Sequence, residues 1–342
     1  MTLLHEITGW LTSLMFYVLC VALIAFVAYC LYVRHVHQKY DHIPGPPRDN
    51  FLLGHMPSFV KATSSNNIMH GVFLNWAEKY GPLYRLNSFH YAMVVIHCPE
   101  ATKTILMSPK YPKDPIFYKQ LFNLFGTRFL GNGLVTAVDH DVWYRQRRIM
   151  DPAFSSSYLR GLMGTFNEMS ERLMDKLEEN ADGKTPVVMH DMVNCVTLDV
   201  ITKVLKETLR LYPTAPGTSR WLPEDMIING FKIPGGCAAI FSSYVSGRME
   251  KFFKDPMTFD PERFDVNAPK PYYCYYPFAL GPRSCLGQVF SQMEAKVVLA
   301  KLLQRFEFSL VPGQSFDIKD TGTLRPLSGV ICNIKHCTED MF

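Results

Sequence analysis

A mainly helical body with small β-sheets attached, carried behind an N-terminal transmembrane helix, is the fold class this sequence predicts. Three observations predict it. Residues 9–33 run for 25 positions without a charge, apolar residues recur at helical spacing over several later stretches, and Pro- and Gly-rich turns separate short β-type runs. The 342 residues, 48% of them apolar, suffice to bury a sizeable core as one large domain or two small ones.

The formal net charge of +4 is too weak and too evenly spread to form a nucleic-acid footprint, so no nucleic acid is expected as a partner. The nine cysteines form no CxxC pair and no regular set, which argues against a disulfide framework and for a reducing compartment.

The elements follow in chain order. After a tail at 1–8, an uncharged helix over 9–33 extends about 37 Å, enough to cross a bilayer core of about 30 Å. A cleaved signal peptide fits less well: the apolar stretch is too long and His5 and Glu6 before it are not basic. Arg34, His35, His37 and Lys39 on the C-terminal flank orient the body toward the cytosol. Residues 34–50 form a basic and proline-rich hinge, in which Ile43-Pro44-Gly45-Pro46-Pro47 favours a stiff, extended spacer, and 51–342 form the body.

Within the body, Val72, Phe73, Trp76 and Ala77 predict a helix over 71–80 that Gly81-Pro82 stops. Residues 83–87 and 93–96 then predict a hairpin. A helix over 139–150 closes at Pro152, and Leu159, Leu162, Met163, Phe166, Met169, Leu173 and Leu177 draw one long amphipathic stripe ending at Asp182-Gly183. Residues 191–211 predict a continuous helix. Short strands and turns follow, then an irregular stretch to Leu280, a helix over 286–306 and further short strands. No internal repeat is present.

The most informative segment is Phe278-Ala279-Leu280-Gly281-Pro282-Arg283-Ser284-Cys285-Leu286-Gly287, a turn-rich loop feeding a helix. A cysteine there meets unpaired backbone N–H groups and the positive end of a helix dipole, which stabilise a thiolate. Gly281 and Gly287 can supply unusual backbone angles and close approach, so that a flat cofactor could lie against the chain. Arg283 could pair with a carboxylate of that cofactor. Upstream, Glu207 and Arg210 share one helix face at i and i+3, by themselves an ordinary surface pair. Pro261-Glu262-Arg263-Phe264 follows, before the cysteine loop.

The pattern Phe-x-x-Gly-x-Arg-x-Cys-x-Gly resembles the haem-binding signature of the cytochrome P-450 family, with every fixed position matched. The resemblance implies that Cys285 is the axial ligand of a haem b iron, that Phe278 packs over the sulfur and that Arg283 meets a haem propionate. Glu207-Thr208-Leu209-Arg210 resembles the family's Glu-x-x-Arg helix, which locks with the Pro-Glu-Arg-Phe arginine into a structural triad of Glu207, Arg210 and Arg263. Trp143 and Arg147 resemble the family's Trp-x-x-x-Arg pair, which reaches a haem propionate, and Arg220 resembles a further propionate arginine. The likeness extends over nearly the whole chain. Ile43 to Arg48, Phe51-Leu52-Leu53-Gly54-His55, Gln146-Arg147-Arg148, Phe166-Asn167-Glu168 and Val311-Pro312-Gly313-Gln314 are similar to the cholesterol 24-hydroxylases of that family.

What the resemblance implies is a membrane-bound sterol monooxygenase of the endoplasmic reticulum. It would draw electrons from NADPH through a flavoprotein, NADPH-cytochrome reductase, docked near Arg145 and Arg148. One departure bears on turnover. Only 60 positions separate Arg147 from Glu207, where the family carries many more, and the Ala/Gly-Gly-x-Asp/Glu-Thr pattern of its proton-delivering distal helix occurs nowhere in the chain. The likeness breaks between about Lys203 and Val204, as an internal deletion would break it. The expected fold is therefore incomplete on the distal side, and a catalytically inactive, anchored haem-binding variant is the alternative to an active monooxygenase. A haem-thiolate isomerase, which needs no oxygen activation, is a third reading.

Overall fold

The computed structural model of the chain describes residues 2–65, 67–122, 130–131, 133–189, 200–265, 267–269 and 272–337. The first helix spans Thr2–Tyr40, so it continues beyond the expected 33 into the stretch assigned to an extended hinge. Its side chains explain the extension. Residues 9–28 are almost all exposed, whereas Val33, His37 and Tyr40 are buried and Val36 packs beside them, a helical stripe laid on the body. Nor do the prolines form a free spacer. Ile43 is buried in the core, the Arg85 amide donates to the Pro44 carbonyl at 2.8 Å, and the His55 ring meets the Pro46 carbonyl at 3.1 Å. The body thus incorporates the hinge, because a chain that can bury Ile43 and Tyr40 gains more from packing than from remaining solvated.

The expected hairpin is present as β1 (Leu83–Ser88) and β2 (Tyr91–Ile96), preceded by the helix Met69–Tyr80. Much later in the chain come β4 (Gly217–Leu222) and β7 (Cys237–Ser242). Strand β7 pairs parallel with β2 and antiparallel with β4, which gives a sheet of order β1-β2-β7-β4. Leu83, Val94, Ile96, Ile105, Leu106, Leu222 and Phe241 fill one side of it.

One expectation about helices changes. The stripe from Leu159 to Leu177 lies on two helices, Ser156–Gly161 and Met163–Glu178, the first capped by the Ser155 hydroxyl accepting from the Tyr158 amide. Past its end, Asp182–Val188 forms a strand, β3, that sequence reading missed. It joins β8 (Phe306–Leu310) and β11 (Ile331–His336) in the order β3-β11-β8. The helix expected over 191–211 is described only as Val200–Leu211, and its earlier part lies outside the described residues. Helix Gln288–Arg305 packs on Met163–Glu178 through Met174, Leu177, Val298 and Leu302.

Candidate functional site

Cys285 lies between a short turn at Gly281–Arg283 and the helix Gln288–Arg305, whose N-cap is Gly287. It therefore precedes the cap by two residues instead of adjoining the first turn. Its amide donates to the Phe278 carbonyl at 2.8 Å, which closes the loop into a ring, and its side chain is exposed. Gly281 has φ +70°, and a Cβ there would lie 2.2 Å from the Leu106 carbonyl oxygen, so only glycine lets the loop approach the helix Pro99–Leu106. Gly287 differs from expectation. Its φ is −81°, and a Cβ would sit 3.9 Å from the Cys285 sulfur, so what it leaves is open space beside the sulfur.

The helix His140–Met150 begins at Asp139, whose carboxylate accepts from the Val142 amide at 2.9 Å. It delivers Trp143, which is buried, and the Arg283 guanidinium stacks over the Trp143 ring at 4.0 Å. Arg283 also donates to the Ala137 carbonyl. Arg147, one turn further on, bonds Asp151 at 2.6 Å and the Ser284 carbonyl at 2.9 Å, so its hydrogen bonds tie the cysteine loop to this helix.

Arg220, on β4, is almost fully buried. It donates to Thr218 Oγ1 and the Ser219 carbonyl, and its Nη2 is buried without a hydrogen-bond partner among the described residues. Burial holds its guanidinium below the usual arginine range. Beside it, through a backbone bridge, lies Lys113, which sequence reasoning did not single out. The Lys113 ammonium is buried, lies 4.7 Å from the Tyr118 ring centre and donates to the Val135 carbonyl. Burial first, then the charges of Arg220 and Arg283, push its pKa down to about 7. Burial and Arg220 likewise lower Arg283 to about 10.

Three neighbouring cations, none with a carboxylate in ion-pair range among the described residues, together with an orphaned guanidinium N–H, call for an anion. A haem carries two propionates, so these residues fit it, with Cys285 available for the metal.

The same cluster sets a pH dependence. Below about pH 7 the folded and unfolded chains both carry the Lys113 proton, and the buried charge weakens the fold in full. Between about pH 7 and 10.5 only the unfolded chain holds it, so the stability of the cofactor-free chain rises with pH, by up to about 1.4 kcal/mol per unit from this group. Urea midpoints across that window should climb in the native chain and lose this component in Lys113→Met. Parallel curves for the two would remove Lys113 from the cluster.

Behind the loop, the structure brings Glu207, Arg210 and Arg263 together. Glu207 and Arg210 have no exposed side-chain surface and pair through two bonds of 2.7 Å. Arg210 further donates to the Pro256 and Thr258 carbonyls, and the Asp260 amide donates to Glu207 at 2.8 Å. Arg263 Nε lies 3.4 Å from Glu207, within ion-pair range but outside hydrogen-bond geometry; its own bonds go to the Asp255 and Thr258 carbonyls. Glu207→Ala leaves Arg210 charged, buried and unpaired, so it should lower stability by about 3–5 kcal/mol. A urea denaturation midpoint unchanged from the native chain would contradict this.

An exposed cysteine in a glycine-shaped turn, beside cations without a carboxylate partner among the described residues, suits a haem-thiolate class of protein. A family model described as cytochrome P-450 matches residues 44–205 and 201–334. The chain belongs to the cytochrome P-450 family. Curated relatives include cytochrome P-450 4d2 of Drosophila melanogaster, 36% identical over 174 residues (49% of this chain, 33% of the relative). Cytochrome P-450 4V2 of Mus musculus is 35% identical over 184 residues (52% and 34%), and cytochrome P-450 3A6 of Oryctolagus cuniculus 31% over 186 (52% and 36%). The matched stretches thus span about a third of each relative's length. Family membership implies a haem with an axial thiolate.

Proposed function

We propose that this chain is an endoplasmic-reticulum haem-thiolate protein, anchored by its first helix with the body in the cytosol and descended from NADPH-dependent sterol hydroxylases. The observation that carries the reading is the Cys285 loop set beside Lys113, Arg220 and Arg283, three cations with no carboxylate in ion-pair range among the described residues. When bound, the haem supplies oxygen activation, with thiolate donation favouring O–O cleavage. The chain's own residues do the rest. Arg220, Arg283 and Lys113 hold the propionates with Trp143 beneath, Arg147 ties the loop to its helix, Phe278 covers the sulfur, and the triad of Glu207, Arg210 and Arg263 braces the loop from behind. Arg145 and Arg148 are both exposed and suit an acidic reductase surface. The sterol substrate rests on the motifs similar to cholesterol 24-hydroxylases.

A second reading is haem binding without turnover, and it starts from one observation. The two stretches matched to the family meet at 201–205, beside the break inferred between Lys203 and Val204. The face shared by Met163–Glu178 and Gln288–Arg305 also carries a cleft of about 160 Å³ lined by Phe166, Met169, Phe290 and Val298, with Met169 and Val289 exposed. Such a face supports the loss of a segment that once covered it.

The first helix, uncharged over 9–33, supports a bilayer span. Microsomes extracted with carbonate should retain the protein, with its C-terminus open to protease from the cytosolic side. Recovery of the full-length chain in the supernatant would remove the anchor. The haem reading is tested by the reduced carbon monoxide difference spectrum of membranes carrying the chain, where a thiolate-type band is expected and absence of any haem would overturn it.

A further inference from the structure

Tyr276 stands at the foot of the cysteine loop and is almost completely buried, in the core that lines one side of the β1-β2-β7-β4 sheet. Its hydroxyl meets Ser246 Oγ at 3.0 Å, and Ser246 Oγ lies 3.5 Å from His97 Nδ1. Ser246 ends the single turn Ser243–Ser246 that follows β7, and His97 directly follows β2. Three buried side chains from distant parts of the chain thus join the two central strands of the sheet to the start of the loop. The arrangement has a cost at His97, whose Nε2 is buried with no hydrogen-bond partner among the described residues.

The loop needs such an attachment. From Pro277 to Lys296 no residue is buried, so Tyr276 is the last side chain fixed in the core before Cys285. Two residues in between hold left-handed backbone, Ala279 at φ +57° and Gly281 at φ +70°. For alanine that conformation is strained and persists only where its surroundings hold it. The turn that imposes it starts at Tyr276, whose carbonyl accepts from the Ala279 amide at 3.0 Å, and the Phe278 carbonyl inside the turn accepts from the Cys285 amide at 2.8 Å. Apolar burial keeps the Tyr276 ring in the core but sets no direction for it. The bond to Ser246 does, because a hydrogen bond weakens steeply once its angle departs from linear.

Resting on the reading of Cys285 as the haem ligand, we propose that Tyr276 is a positioning residue for it: the bond of its hydroxyl to Ser246, backed by His97, fixes where the loop leaves the core and so where the sulfur stands. It acts through the turn at Ala279 and the bond between Phe278 and Cys285. A phenylalanine would bury the same ring, so what the hydroxyl adds is the direction in which the loop sets out. Loss of either hydroxyl frees the loop without emptying the core.

The test is hydrogen exchange of the segment 278–287 in the full chain in detergent, with or without haem, in Tyr276→Phe, Ser246→Ala, the double variant and Tyr84→Phe. The last removes an equally buried hydroxyl, bonded to the Phe73 carbonyl at 3.0 Å in a separate core cluster. Exchange in 278–287 should quicken about three- to tenfold in Tyr276→Phe and Ser246→Ala, the change that one buried hydrogen bond supports. The double variant should go no further than the faster single one, and Tyr84→Phe should leave the segment at its native rate. In preparations that hold haem, the thiolate-type band of the reduced, carbon monoxide-bound protein should decay faster by a similar factor in the first three variants and not in Tyr84→Phe. Native exchange of 278–287 in Tyr276→Phe, or equal quickening in Tyr84→Phe, would overturn the proposal, as would a freed loop whose band lasts as long as the native one. A native chain that holds haem without any thiolate band would sink the reading of Cys285, and the proposal with it, whatever the exchange shows.

Discussion

Cys285→His should abolish the thiolate-type absorption of the reduced, carbon monoxide-bound protein, while Cys274→Ser leaves it intact. The contrast follows from where the two sulfurs sit. Only a thiolate serves as a strong metal ligand, and burial keeps Cys274 protonated by pushing it up to about 12. Burial acts in the same direction on Cys98, Cys237 and Cys332. Cys285 is exposed at the mouth of its loop, with open space beside it at Gly287. A histidine there offers a nitrogen ligand and no sulfur, so haem that remained bound would lose the thiolate band. If both variants kept the band, or both lost it, Cys285 would not be the ligand.

The second large effect concerns turnover. With reductase, NADPH and cholesterol, the chain should form no detectable hydroxysterol even in a preparation that holds haem. Oxygen activation needs a directed proton supply and a dry pocket, because protons that reach the wrong oxygen release peroxide. No acid-threonine pattern lies in the 60 positions between Arg147 and Glu207. Inserting the corresponding segment of a full-length relative between Lys203 and Val204 should restore activity. Hydroxysterol formation by the short chain at a rate near that of the restored one would contradict this reading of the gap.

Much of the site was legible because its residues come in local patterns. Glu207 and Arg210 are three apart on one helix, and the cysteine loop is contiguous from Phe278 to Gly287, so each formed a local motif in which the family resemblance could be read. Lys113 was not legible. It stands in Tyr111-Pro112-Lys113-Asp114-Pro115, where nothing local separates it from a surface lysine, and only its bridge to Arg220, 107 residues later, puts it among the cations. Strand β3 was missed for the same reason, since its partner β11 lies at the other end of the chain and its own alternation is broken by Pro186.

By itself the sequence determined the uncharged span over 9–33, the helical character of the body, the cysteine loop and the placement of Glu207 and Arg210 on one helix face. Each is written in residues near enough along the chain for periodicity, turn chemistry or charge spacing to act directly. Only the tertiary structure decided where the first helix becomes part of the body, because His37 meets the Phe89 carbonyl 52 residues on and Tyr40 packs in a core with Leu83, Val94 and Cys237. It also decided which cations gather beside Cys285, and it turned Arg147 toward Asp151 and the Ser284 carbonyl. These outcomes depend on long-range packing, and the charge of a side chain carries no record of which distant neighbours will surround it.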